Sequence, residues 1–261
     1  PGAEGELRRL GAACAASSGN RRDFSYHEGL AREGRLPLIL CFAVHPQLPA
    51  AEIRPVLSER PGFSSRDSLA LLNSLATENR LDAVGETGFD LYNDLYRATE
   101  SVQEKLFAVH LEIALAKGLP LVLHVRRAMH KIFALTGELK GLPALIFHSY
   151  SGTQGEARSL LKRGINAYFS FGAVIAKNHK EARRCCALLP AERILLETDA
   201  PYQPLQGASF SRWADLPVIL SAAARLREEA GSPCSSPAAL EAAVEANFFA
   251  AYSHGGFRYQ A

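Results

Sequence analysis

Leu81-Asp82-Ala83-Val84-Gly85-Glu86 is an apolar run that ends on a carboxylate, and three later stretches repeat the design. They are Leu119-Pro120-Leu121-Val122-Leu123-His124, Leu142-Pro143-Ala144-Leu145-Ile146-Phe147-His148 and Arg193-Ile194-Leu195-Leu196-Glu197-Thr198-Asp199. One such stretch would mean little. Four of them, separated by helix-length segments, place Glu86, His124, His148 and Asp199 on one rim of a parallel barrel. Carboxylate plus imidazole at the C-terminal ends of barrel strands is what a hydrolytic metal site requires.

Working outward, strands are expected near residues 11–17, 37–43, 81–86, 119–124, 143–148, 166–171 and 193–198. Helices are expected near 25–34, 65–79, 99–117, 127–139, 154–163, 178–188, 212–229 and 237–252. In the longest of them Val102, Leu106, Val109 and Ile113 recur at helical spacing, and Gly118 closes the run. Strands that alternate with helices imply βαβ units and a parallel sheet. The expected fold is an α/β, (β/α)8 TIM-type barrel. Seven strands are read where closure needs eight, so the first strand is taken as missing from this chain. An open doubly wound sheet would tolerate seven, but it gathers ligands at one crevice rather than from four strand ends.

The 261 residues are enough for one large domain, and 1–261 is read as a single barrel. At 48% hydrophobic and 21% charged the composition is that of an ordinary soluble globule. A net charge of +2 neither demands nor excludes a nucleic-acid partner. Five cysteines, an odd number at spacings that match no zinc cluster or small disulfide scaffold, point to reduced thiols and a cytoplasmic location. No apolar run approaches the ~20 residues of a membrane span. The first residues carry no apolar signal core, and the lack of an initiator Met is read as a processed or truncated start.

Each candidate residue has a plain alternative. Glu86, between Gly85 and Gly88, is either a carboxylate brought inward by a tight turn or a surface acid. His124 and His148 are either ligands for Zn or Mn or core histidines bonded to backbone carbonyls; their repetition favours ligation. Arg126 suits an anionic group such as phosphate. Asp199 is either ligand and proton acceptor or a helix N-cap. Glu197 is expected to point the other way, since side chains alternate along a strand. His45, before Pro46, is a substrate-contacting histidine or a turn residue. Asp90 and Tyr92 could line the pocket mouth. His27, His110, His130, His179 and His254 are read as structural or solvent-exposed.

In order, AVHP at 43–46, GETGFD at 85–90, GLPLVLHVRRA at 118–128, FHSYSG at 147–152 and LLETDAPY at 195–202 resemble the TatD family of metal-dependent deoxyribonucleases. Gln103 and Phe107 fit the helix before the fourth strand, and Asn247-Phe248-Phe249 fits the family's C-terminal helix. The resemblance runs from about residue 11 to 252. It implies metal ligation by Glu86, His124, His148 and Asp199, with Glu86 shared between two cations and Asp199 also the general base. Glu86 and Asp199 are then the catalytic pair, and His45, Arg126 and Tyr202 are the candidate substrate contacts. It implies one or two divalent ions per chain (Mg, Mn or Zn), a DNA substrate, and 3′-5′ exonucleolytic cleavage by a metal-activated water.

The chain also departs from the family. The family's first strand ends in Asp-x-His-x-His, and no His-x-His occurs in this sequence. Thr87 stands where an apolar residue is usual. The basic loop after the ETDAPY-like motif is here Pro204-Leu205-Gln206-Gly207-Ala208-Ser209, for which Arg212 is a possible substitute. Two other readings therefore stay open: an amidohydrolase-like enzyme acting on another ester or amide, and a non-catalytic barrel.

Overall fold

In the computed structural model, residues 2–34, 36–53 and 64–253 are described. Seven parallel strands are found among them: β1 (Cys14–Ser18), β2 (Leu38–Phe42), β3 (Ala83–Asp90), β4 (Leu121–Arg126), β5 (Leu145–Phe147), β6 (Ala167–Phe171) and β7 (Ile194–Leu196). The chain divides into two compact units. One comprises Ala13–Leu145 with residues from Tyr252 on; the other comprises residues up to Ala12 with Ile146–Ala251.

In the first unit β1 to β4 pair in sequence order. Cys14 faces Leu38 in β1–β2, Cys41 faces Ala83 in β2–β3, and Val84 faces Leu121 in β3–β4. Every residue of β2 is buried, as expected for a strand covered on both faces. Asp82 clamps β2 to β3: its N–H donates to Leu40 O at 3.0 Å, and Leu40 N–H donates to its Oδ2 at 2.8 Å. Helices Arg21–Arg32, Ser65–Thr77 and Glu100–Lys117 belong to this unit, and Gly118, in the left-handed region, ends the last of them. The helix expected over 127–139 is two short pieces, Met129–Ala134 and Thr136–Leu139, interrupted at Leu135.

The expected strand over 81–86 runs on to Asp90. The glycines do not turn the chain; they let β3 pass close to β4. A Cβ at Gly85 would lie 2.4 Å from Val122 Cβ, and one at Gly88 would lie 2.2 Å from His124 O. Between Val84 and Thr87 the register slips by one residue, a bulge that covers Gly85 and Glu86. Bulges re-aim side chains, and this one interrupts strict alternation where the carboxylate sits.

His110 meets its structural reading. It is fully buried, donates from Nδ1 to Leu106 O at 2.6 Å and accepts Val44 N–H at Nε2 at 2.9 Å. It thereby fixes the residue before His45. Burial pushes its pKa down to about 4, against the opposing carbonyl bond. The folded chain thus keeps His110 neutral where an unfolded one would bind a proton. This contribution is present above pH ~6.5 and drains as pH falls toward 4, by about 3 kcal/mol in all. Urea unfolding at pH 7 and 4.5 should give a smaller difference for His110→Gln than for wild type. Equal differences would overturn the assignment.

In the second unit β6 pairs with β7, Phe169 facing Ile194. Phe147 stacks on Phe169 at 5.4 Å, and Tyr150 meets Phe169 edge-on at 4.7 Å. Arg227, buried in the Leu216–Glu229 helix, donates to the carbonyls of Cys186, Leu189 and Pro233. Asn247 donates to Ala191 O and Ile194 O at 2.7 and 2.8 Å, pinning the start of β7 from the Pro237–Tyr252 helix. A helix at Gly2–Leu10 belongs to this unit too, in a stretch for which no element was expected. His254 lies outside the described residues. No described helix is long and apolar enough to cross a membrane.

Candidate metal and catalytic centre

In the β1–β4 unit, His45, Glu86 and His124 each present a ligand atom within 4.8 Å of the other two. His45 follows β2, Glu86 sits in the β3 bulge and His124 lies in β4. His45 Nε2 is 3.8 Å from Glu86 Oε2, and the rings of His45 and His124 are 4.5 Å apart. Two imidazoles and one carboxylate are a donor set that suits Zn or Mn, so these residues fit a divalent cation. His45, read from sequence as a substrate contact, is therefore placed as a third candidate ligand.

Asp90 organises this cluster. It is fully buried, and its Oδ2 accepts from His124 Nε2 at 3.0 Å and Gln47 Nε2 at 2.7 Å. Its Oδ1 accepts Tyr92 N–H at 2.9 Å, and Arg126 Nη1 stands 3.7 Å from Oδ2. Burial alone would raise the Asp90 carboxyl; the bonds from His124, Gln47 and Tyr92 outweigh it and hold its pKa down to about 2. An ionised Asp90 accepts a hydrogen bond from the Nε2–H of His124, which leaves the Nδ1 lone pair for a cation. Gln103, from the Glu100–Lys117 helix, fixes the Asp90 backbone, accepting its N–H at 2.8 Å and donating to its carbonyl at 3.1 Å. Asp90 thus lies beneath the site rather than at a pocket mouth.

The β6–β7 unit repeats the device. His148 Nδ1 donates to Glu197 at 3.1 Å, while His148 Nε2 faces Asp199 Oδ1 at 3.9 Å. Glu197 also accepts from Ser149 N–H at 3.0 Å. Burial would raise its carboxyl; the His148 charge and bonds from His148, Ser149 and Ser170 bring it below the usual range. Glu197 therefore does not point away from the site chemistry. It lies two residues from Asp199, and positions i and i+2 share one side of an extended chain, so alternation sets the two carboxylates together on His148 rather than apart. Gln203 bonds Asp199 Oδ2 at 2.7 Å and Ser149 Oγ at 2.6 Å, giving the 200–211 loop a positioning task.

The remaining expected contacts are surface groups. Arg126 is 41% exposed along its side chain. Tyr202 is 63% exposed, with its backbone tied to Asp199 O and Ser211. Arg212 is engaged by Asp215, 3.6 Å away.

Residues 7–253 match the family model described as TatD related DNase. A curated protein of Cronobacter sakazakii, named 3′-5′ ssDNA/RNA exonuclease TatD, is 34% identical over 190 residues, 69% of this chain and 68% of that protein. Its namesake from Erwinia billingiae is 31% identical over 221 residues, 77% of this chain and 82% of that protein. The crystal structure of YJJV, a TatD homologue from Escherichia coli K12, matches with a TM-score of 0.79 at 23% identity, over 97% of this chain and 91% of that one. At that identity the likeness is one of fold, the TIM-like α/β fold that the strand–helix alternation predicts.

Proposed function

The chain belongs to the TatD-related DNase family, and from that premise we propose that it is a nuclease that removes nucleotides from the 3′ end of single-stranded DNA. Membership makes it a metal-dependent hydrolase; substrate and direction are our reading. The observation that carries it is the paired arrangement of histidine and carboxylate. Asp90 on His124 and Glu197 on His148 each bind one ring nitrogen and leave the other beside a further carboxylate or imidazole. Carboxylates set behind histidines orient ligands; they have no such use on a passive surface.

Glu86, His124 and His45 would hold a divalent cation in one unit, and His148 and Asp199 would contribute ligands in the other. A bound cation would acidify water and neutralise charge on phosphoryl oxygens. Asp199, held through Oδ2 by Gln203, would accept the proton of the attacking water. Arg126 would meet a phosphate oxygen through its exposed guanidinium.

The test is a chelated protein assayed on a 3′-labelled single-stranded oligonucleotide, before and after addition of Mg or Mn, with metal per chain measured in parallel. Activity restored by the cation, with label released first, supports the reading. Metal bound without cleavage would turn the assignment toward another ester or amide. Neither metal nor cleavage would overturn it.

A further inference from the structure

We propose that Tyr92, Arg126 and Arg127 form a stacking subsite for an unpaired nucleobase, its phosphate met by the two guanidiniums. The proposal rests on the nucleic-acid reading above. Tyr92 follows β3 and is 45% exposed. Arg126 Cζ lies 4.1 Å from the ring centroid and Arg127 Cζ lies 4.7 Å from it. An exposed tyrosine carrying two guanidiniums is a flat, cationic surface.

The surface is held in place. Tyr92 N–H is bonded to Asp90, and its carbonyl accepts from Arg127 Nη1 at 3.2 Å and Arg97 Nη1 at 3.5 Å. Arg127, directly after β4, takes a left-handed φ of 54°, unusual for a side chain of this size, and thereby brings its guanidinium back to Tyr92. Arg97 is neutralised by Asp94, and Arg126 shares Asp90 Oδ2 with His124. Among the described residues Arg127 engages Tyr92 and no carboxylate. One uncompensated charge and one half-exposed tyrosine therefore stand beside Arg126, whose guanidinium faces the same Asp90 oxygen as His124.

A ligand that uses both features is planar at one end and anionic at the other, which describes a nucleotide. Bases in a duplex are already stacked on their neighbours. A guanidinium plane backed by tyrosine is open to single strands and frayed ends, and it accepts any base because every base has a π-face. The subsite therefore favours unpaired ends over duplex, without base preference.

The experiment measures fluorescence-anisotropy Kd in chelator, for a single-stranded thymidine oligonucleotide, the same oligonucleotide with abasic 3′-terminal residues, and a blunt hairpin. Hydrolysis of the same three is followed with Mn. Wild type should bind the base-bearing single strand most tightly. Tyr92→Leu should weaken that binding about tenfold and leave the abasic oligonucleotide unchanged, while Tyr92→Phe behaves as wild type. Arg127→Gln should weaken both oligonucleotides and flatten the salt dependence. If Tyr92→Leu binds all three ligands as wild type does, or wild type binds none of them, the subsite is overturned. Base-dependent binding without hydrolysis would leave the subsite standing and remove the nuclease reading; hydrolysis without base dependence would do the reverse.

Discussion

Glu86→Gln is expected to lower turnover on a single-stranded oligonucleotide by more than about 100-fold, since even a partner one bond behind a ligand costs roughly 10- to 100-fold when lost. The substitution keeps shape and removes the charge. In the β1–β4 unit Glu86 is the carboxylate of the His45, Glu86 and His124 cluster, so a cation there loses its one anionic donor from that set. Asp90→Asn should fall less, within the 10- to 100-fold range, because it acts through His124 Nε2 rather than on the cation. Stability should change by about 1 kcal/mol or less for Glu86→Gln, whose side chain is 20% exposed. The measurement is kcat and bound metal for both variants beside wild type. Normal turnover in Glu86→Gln, or a larger loss in Asp90→Asn than in Glu86→Gln, would sink the assignment of roles.

How far this arrangement could be read in the sequence depends on the residue. Strands such as β2, β4 and β5 were legible because a largely covered strand is a continuous apolar run, and these runs lead into His45, His124 and His148. Of the four residues first singled out at the ends of such runs, Glu86 and His124 meet with His45 in one unit, and His148 faces Asp199 in the other. Asp90 and Glu197 were not legible as orienting carboxylates. Each lies a few residues from a candidate ligand, but its partner, His124 or His148, is distant in sequence and meets it only through strand neighbours. The spacing of Glu197 and Asp199, two residues apart, puts both on one side of an extended chain, so alternation favours rather than opposes their shared partner His148. His45 was half legible. Its apolar lead-in placed it at a strand end, whereas its distance from Glu86 depends on a bulge that no periodicity announces. The GETGFD glycines were noticed but misread. A glycine that turns a chain and one that admits a neighbouring backbone look identical in sequence.

That last distinction gives the second large effect. Gly88→Ala is expected to destabilise the fold by about 3 kcal/mol or more, combining strain at a φ that L-residues avoid with overpacking against backbone. Gly88 has φ 134° and pairs with His124 in the β3–β4 register. An added Cβ would lie 2.2 Å from His124 O, 3.2 Å from its carbonyl carbon and 3.3 Å from its N. These are backbone atoms of the adjoining strand, with no rotamer to move into. Relief therefore requires β3 and β4 to separate at the pair that sets His124 against Asp90. Activity should fall with stability, and His124 should lose its carboxylate partner even in molecules that remain folded. Gly29→Ala is the matched control: it lies in the Arg21–Arg32 helix with nothing within 4 Å of the added carbon. Helix propensity alone should make that variant more stable by roughly 0.5–1 kcal/mol. Urea unfolding of the two variants beside wild type decides the matter. If Gly88→Ala unfolds at the wild-type midpoint, the close passage of β3 over β4 is not what fixes the His124 side of the site, and the bulge at Glu86 would have to carry that task alone.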